Sequence, residues 1–264
     1  MIRRAHVCAL AVVLASLALV YCAQAPYTER SQFIILPRSQ ETSLGDAAAK
    51  DILKKEKLST NQEEVSLVER VGKRIAAVAD APDFKWEFYV IEKPDTVNAF
   101  CLPGGKVFVY TGLFKVATTE DDLATVLGHE VSHAIARHGA ERMSQAQALS
   151  VAGTVGAAAV GVSTGSTAAS QAFQTAYGLG ANVGILLPFS RTQESEADHI
   201  GLILMAKAGY DPHQALDFWH KMAENSKKEG KKVPAYLATH PSDEQRIGDI
   251  QKLIPEAMSY YKRR

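Results

Sequence analysis

The residues with the clearest potential for chemistry are two histidines and a glutamate within five positions: His129, Glu130 and His133. Apolar residues around them recur at helical spacing, and helix positions i and i+4 share one face. Both imidazoles can therefore reach one metal ion at about 2.0–2.1 Å. Glu130 lies beside them and can take a proton from metal-bound water. Composition alone would produce such a triplet only about 0.03 times in this chain, so the pattern predicts a catalytic zinc site.

A catalytic zinc ion needs a third protein ligand and an open coordination position. Residues 194–198 offer Glu194 and Asp198, which are again four positions apart on one helix face. We expect Glu194 to bind the ion and Asp198 to accept a ring N–H from a ligand histidine. Glu196 is the competing ligand, although it lies on a different face from Asp198. The alternative is that these acids are ordinary solvated charges in the first turn of a helix.

Local capping patterns predict the two helices that carry these residues. Thr119 and Asp122 form a capping-box pattern before the histidine pair, and Ser190 and Gln193 form another before Glu194. By spacing, His138 is not an expected ligand, and we predict a helix-end or surface role for it. Upstream, Ser43 with Asp46 predicts a helix over residues 44–57, and Asn61 with Glu64 predicts a second over residues 61–79.

The only predicted β region lies between these helical parts. Residues 86–91 and 106–110 are rich in aromatic and β-branched residues and are predicted strands, with residues 97–102 between them. Pro103, Gly104 and Gly105 predict a tight turn. The chain is predicted to be helical from residue 120 onward, so the class is α+β with helix dominant. The small-residue segment 151–187 is predicted to be either a packed helical hairpin or a flap over the active cleft.

Composition narrows the partners. The 264 residues include 29 Lys and Arg and 29 Asp and Glu, and this balance argues against a nucleic-acid protein. Three cysteines exclude a disulfide-built scaffold, and Cys101 is predicted to be a buried small residue.

The N-terminus has the features of an export signal. Arg3 and Arg4 precede an apolar run over residues 9–20 that is short for a membrane span. Three interpretations stay open: a signal cleaved near Ala25, lipidation at Cys22, and an uncleaved anchor. Each places the chain outside the cytoplasm, with residues 1–25 as the signal and 26–264 as one domain.

The motifs resemble those of a known enzyme family. His129-Glu130-x-x-His133 followed by Glu194-x-x-Ala197-Asp198 resembles the gluzincin metalloendopeptidases of the CAAX prenyl endoprotease, HtpX, OMA and BepA type. Three softer segments agree: Asn98-Ala99-Phe100 with the following turn, Tyr110-Thr111-Gly112-Leu113, and Thr239-His240-Pro241-Ser242 with Arg246. The resemblance covers roughly residues 44–253. No other segment reaches about 18 apolar residues, so the match is to the soluble, exported branch.

The resemblance implies further site residues. It implies a histidine near the metal at His240, acting either as a transition-state donor or as a reversible fourth ligand that blocks the water. Arg246 is expected to brace Asp198 or the His240 loop. The strand at residues 106–110, with Val107 and Val109, is expected to hydrogen-bond an extended substrate as a sheet edge, with Asn98 assisting.

The resemblance implies peptide hydrolysis with one zinc ion per chain. We expect unfolded or damaged envelope proteins as substrates, cleaved in the periplasm, possible membrane attachment through a lipid anchor, and an outer-membrane or envelope assembly partner. The alternative is an envelope assembly chaperone or binding module with little proteolysis.

Overall fold

A computed structural model describes residues 22–159, 189–229, 235–240 and 244–262. Helices dominate these residues, and two small sheets accompany them, as the predicted α+β class requires. The strands are β1 (Cys22–Gln24), β2 (Ser31–Phe33), β3 (Glu87–Ile91), β4 (Ala99–Leu102) and β5 (Lys106–Tyr110). The helices are α1 (Arg38–Lys55), α2 (Gln62–Ala76), α3 (Glu120–Ile135), α4 (His138–Ala159), α5 (Arg191–Lys207), α6 (Gln214–Glu229), α7 (Ala235–Thr239) and α8 (Glu244–Ser259).

The three-stranded sheet has the order β3-β5-β4. Strand β5 runs parallel to β3 and antiparallel to β4. It is the central strand, and every one of its residues is buried. Its large apolar side chains point alternately to the two faces of the sheet, and each face packs into one of the two core clusters.

This topology corrects one sequence prediction. Val107 and Val109 were expected to offer an edge to a substrate, but strand β5 is paired on both sides. Its backbone groups are therefore engaged in the sheet and cannot bind an added strand. Strand β4 is an edge strand among the described strands of this sheet, and it lies beside helix α3.

The N-terminal segment is more ordered than the sequence suggested. Strands β1 and β2 form an antiparallel hairpin in which Ala23 lies opposite Gln32. Ala25 is buried in the main core, and Gln32 donates a 2.7 Å hydrogen bond to the Ala136 carbonyl at the end of α3. Strand β1 thus falls within the predicted signal segment 1–25. Cleavage after Ala25 would remove that strand from the hairpin.

Helix α1 begins earlier than predicted. The structure starts it at Arg38, after Pro37, so Ser43 lies inside the helix and not at its N-cap. The Ser43 hydroxyl instead donates to the Ser39 carbonyl one turn back, at 2.8 Å. A serine inside a helix makes this bond as readily as it caps one, which is why the local pattern misplaced the start. The predicted cap at Asn61 is confirmed, since its side chain accepts from Glu63 and Glu64 N–H groups.

Helices α3 and α5 cross at very short range. A Cβ atom on Gly128 would lie 2.9 Å from the Gly201 carbonyl oxygen, and one on Gly201 would lie 3.0 Å from the His129 nitrogen. Such contacts are closer than side-chain carbons tolerate, so glycine on both helices lets the backbones touch. The crossing places the histidines of α3 directly against the acids of α5.

The remaining expectations for the fold are partly tested. Residues 151–159 continue helix α4, while the rest of the small-residue segment, residues 160–187, lies outside the described residues. None of the helices in the described ranges is both long and apolar enough to cross a membrane.

Candidate metal centre

Helix α3 is fixed at its start and buried along its length. The predicted capping box is present: Asp122 N–H donates to the Thr119 hydroxyl at 3.1 Å, and Thr119 N–H donates to Asp122 Oδ2 at 3.0 Å. Every residue from Asp122 to Ile135 is buried. The helix therefore lies in the core, and it holds His129 and His133 on the face that meets α5.

Four side chains bring one ligand atom each to a single point. His129, His133, Glu194 and His240 are all buried, and their ligand atoms lie within 4.8 Å of one another. The Nε2 atoms of the two helix histidines are 3.0 Å apart. His240 Nδ1 lies 3.1 Å from His129 Nε2 and 2.9 Å from Glu194 Oε1. The three predicted ligands and His240 therefore meet at one place.

The donor set fits a zinc ion. Three imidazole nitrogens and one carboxylate are ligand types that zinc prefers, and three of them plus an open position make a catalytic site. Glu194 Oε2 is buried without a hydrogen bond, although Arg246 Nη1 lies 2.9 Å away as an ion pair. A carboxylate oxygen in that state retains a lone pair for a cation. Burial strongly lowers the pKa of His133, which keeps its ring neutral as a metal ligand must be.

Asp198 and Arg246 orient one of the predicted ligands. Asp198 Oδ1 accepts from His129 Nδ1 at 2.9 Å, so Nε2 of that ring is left to face the cluster. Arg246 donates to both Asp198 oxygens at 2.8 Å, and its guanidinium lies 3.8 Å from the centre of the Trp219 ring. Burial favours a neutral carboxyl, but Arg246 and His129 outweigh it and lower the pKa of Asp198.

Two further pKa shifts follow from the same charges. Burial alone would lower the pKa of His129, but its bonds to Asp198 and Glu194 raise that pKa to about 9. Burial would raise the pKa of Glu194, yet His240 and the helix histidines hold it well below the ordinary range. Glu194 thus stays ionised and ready to bind a cation, whereas His129 releases a ring proton when an ion binds.

Glu130 lies beside the cluster, and one of its carboxylate oxygens makes no hydrogen bond. Its Oε1 atom is buried without a hydrogen-bond partner, and His240 Nε2 lies 3.5 Å away. Burial raises the pKa of this carboxyl, and the positive potential of His240 and His129 only partly offsets the shift. A buried carboxylate with an elevated pKa is suited to accepting a proton.

Two aromatic residues at the site were not predicted from the sequence. Tyr236 is completely buried on α7, and its ring lies 4.6 Å from that of His240. Its hydroxyl lies near Glu130 but makes no hydrogen bond of ordinary geometry among the described residues. Burial, with a smaller contribution from Glu130, raises the Tyr236 pKa well above its ordinary value, so the hydroxyl stays protonated. Phe189 stacks on His133 at 4.0 Å. Neither residue belongs to a spacing pattern that could have marked it.

His138 is the first residue of α4, so of its two predicted places the helix end is confirmed and the surface is wrong. His138 is fully buried, and its Nδ1 lies 2.8 Å from Nδ1 of the predicted ligand His133. Its Nε2 lies 2.8 Å from Glu196 Oε2. Glu196, the competing ligand considered above, thus points away from the ligand cluster and toward His138. The sharp turn at Arg137, which has a φ of 56°, brings His138 back against the end of α3.

The remaining predicted residue, Asn98, lies at the start of β4. Its side chain is buried and accepts from the Ala99 N–H at 3.0 Å. The neighbouring Val97 carbonyl accepts from Tyr236 N–H at 3.0 Å, which docks α7 on this strand. Substrate binding by Asn98 stays a prediction.

Known proteins resemble this chain over most of its length. The model of Peptidase family M48 matches residues 61–254. The mitochondrial metalloendopeptidase OMA1 of Schizosaccharomyces pombe is 45% identical over 190 residues, covering 72% of this chain and 53% of that protein. OMA1 of Saccharomyces cerevisiae is 32% identical over 255 residues, with 90% and 71% covered. The beta-barrel assembly-enhancing protease of Yersinia pestis is 31% identical over 213 residues, with 80% and 43% covered.

The chain therefore spans about half the length of several of these relatives. The family match nevertheless covers well over half of the chain and contains both helix motifs and Arg246. The chain belongs to Peptidase family M48.

Proposed function

We propose that the protein is a zinc-dependent endopeptidase. The observation that carries the proposal is the convergence of His129, His133 and Glu194 on one point, with the Glu130 carboxylate beside it, whose Oε1 atom has no hydrogen bond. These three ligands would hold one zinc ion, which supplies Lewis-acid activation of water and of the scissile carbonyl. A purely structural zinc site would leave Glu130 with no task.

Glu130 would move the proton. Its Oε1 accepts a proton from the attacking water and then delivers it to the leaving amine nitrogen. Burial raises the pKa of this carboxyl, which makes it a stronger proton acceptor.

His240 and Tyr236 would control the reacting carbonyl. His240 Nδ1 lies among the ligand atoms, which favours its role as a reversible fourth ligand over that of a donor. When His240 moves aside, the buried Tyr236 hydroxyl is a hydrogen-bond donor available for the oxygen that becomes negative during peptide hydrolysis.

An extended substrate would add to the edge of β4. This strand lies beside α3, and the charge of Glu130 contributes to the raised pKa of Cys101 on β4, so the edge and the general base are close. A polypeptide in the extended form can pair with such an edge through its backbone alone. This mode favours unfolded polypeptides over folded ones.

We propose exported proteins of the cell envelope as the substrates. The export signal and the relative named a beta-barrel assembly-enhancing protease support a periplasmic location and an outer-membrane assembly partner. Lipidation at Cys22 would leave strand β1 intact and tether the domain to a membrane. Relatives of 45% and 32% identity are named mitochondrial metalloendopeptidases, so the family also includes mitochondrial proteins.

Substitution of the general base tests the proposal. Glu130→Gln should leave one zinc ion bound per chain and abolish the cleavage of unfolded casein, and chelation should abolish wild-type cleavage. Glu63→Gln, at an exposed position on α2, is the matched control and should cleave normally. A Glu130→Gln protein that cleaves at the wild-type rate would refute the mechanism. A zinc-bound wild type that binds unfolded casein without cleaving it would favour the chaperone alternative.

A further inference from the structure

A buried chain of hydrogen bonds extends from the ligand His133 on the side away from the ligand cluster. His133 Nδ1 meets His138 Nδ1 at 2.8 Å, and His138 Nε2 meets Glu196 Oε2 at 2.8 Å. Both His138 and Glu196 are buried, with exposed fractions of 0% and 5%. Neither side chain reaches the cluster, so the three ligands and the general base leave them without an assigned role.

With a neutral His138 ring, the chemistry of these groups fixes the direction of both hydrogen bonds. An ionised carboxylate only accepts, so the proton of the His138 ring must lie on Nε2, next to Glu196. His138 Nδ1 is then an acceptor, and His133 Nδ1 must donate to it. The Nε2 lone pair of His133 is therefore left toward Glu194, whose Oε1 lies 3.3 Å away. This is the tautomer that binds a metal through Nε2.

The N-terminal hairpin holds the far end of this chain. Arg30 Nε and Nη2 donate to Glu196 Oε2 at 2.9 and 2.8 Å, and the Thr28 hydroxyl donates to Glu196 Oε1. Arg30 Nη1 and Nη2 also donate to the two oxygens of Glu141, at 2.8 and 2.9 Å. The Glu196 carboxylate is thus kept ionised and fixed in place, as its role as an acceptor requires.

We propose that His138 and Glu196 are positioning residues that hold the ligand His133, with Arg30 of the hairpin securing Glu196. The arrangement parallels the other helix histidine, since Asp198 orients His129 and Arg246 secures Asp198. Each ligand histidine of α3 therefore depends on a carboxylate and an arginine. The His133 branch has one additional imidazole.

Zinc affinity tests this inference, which rests on the proposed metal site. The zinc dissociation constant of the full chain is measured in competition with a chromophoric chelator. His138→Phe keeps an aromatic ring of similar size but removes both nitrogens, and it should weaken zinc binding by about 10–100-fold. His138→Asn should recover part of the loss, because its Oδ1 can accept from His133 near the position of the lost Nδ1.

Two further variants make the test specific. Glu196→Gln should weaken zinc binding by about tenfold, because an amide can also donate and no longer selects one His138 tautomer. His213→Phe is the control: His213 is exposed and also pairs with a carboxylate, that of Asp211 at 2.8 Å, and its loss should leave the affinity unchanged. If His138→Phe does not fold, the zinc affinity of Glu196→Gln decides the test.

The outcomes separate the two proposals. Variants of His138 and Glu196 that fold and bind zinc within about twofold of the wild type would overturn the positioning role, even if their unfolding free energy in chelator is lower. A wild-type protein that binds no zinc would instead overturn the proposed function.

Discussion

Of the residues at the centre, Arg246 is the one whose loss should change the stability of the protein most clearly. It is buried, donates to both Asp198 oxygens at 2.8 Å and lies 2.9 Å from Glu194 Oε2, so it balances two buried carboxylates. Arg246→Met keeps much of the side-chain length and leaves both acids uncompensated. Breaking a buried pair in this way costs about 3–5 kcal/mol of unfolding free energy. For a domain of this size, that cost lowers the melting temperature by about 6–20 °C.

Bound zinc should restore much of the unfolding free energy that Arg246→Met loses, which makes the test specific to the metal centre. A divalent cation bound to Glu194 replaces part of the missing positive charge, so the deficit should be larger in chelator than in excess zinc. The assay is thermal and urea unfolding in both conditions. The control is Arg70→Met, which removes an exposed pair with Glu120 (2.7 Å) and should cost about 0–1 kcal/mol in either condition. An Arg246→Met deficit no larger than that of the control, or one unaffected by zinc, would refute the reasoning.

Four more results are expected. Glu194→Ala should sharply reduce zinc content by metal analysis; full occupancy would assign the third ligand position to His240. His240→Ala should raise the rate of casein cleavage if His240 blocks the site, whereas a slower enzyme would make it a donor. Tyr236→Phe should lower kcat by about 10²–10³ with little change in KM, as for loss of one transition-state donor; an unchanged kcat would remove that role. The bonds of Glu196 to His138 and Arg30 lower its pKa from 4.5 to about 2 against the effect of burial. Its ionised form therefore stabilises the fold fully above about pH 4.5, and the contribution is lost as the pH falls toward 2. The difference in unfolding free energy between wild type and Glu196→Gln should accordingly narrow between pH 6 and pH 3, and a constant difference would contradict the assignment.

The local signals of the sequence were sufficient for the helices that carry the centre. The capping boxes at Thr119 and Ser190 both form as predicted, because such a motif involves residues only three positions apart. The i, i+4 spacing then placed each histidine and acid on the correct helix face. The inward orientation of the ligand residues followed from the buried apolar pattern around them.

What the sequence could not supply are contacts between distant segments. Arg30 and Glu196 are 166 positions apart, and no local pattern links them. The same holds for Tyr236, which docks on β4 through the Val97 carbonyl. His138 was predicted at a helix end or the surface, and it does begin α4. Only the turn at Arg137 reveals that its ring is buried against His133. The central place of β5 likewise depends on strand order, which residue preferences within each strand do not determine.

The hairpin formed by β1 and β2 has a practical consequence for recombinant work. A truncation that begins at Arg38, the first residue of α1, would keep both helix motifs and the whole of the family match. It would nevertheless discard Arg30 and Thr28, and with them the outermost support of one ligand histidine. Such a trimmed protein could fold, purify well and still be wrongly classified as an inactive member of its family.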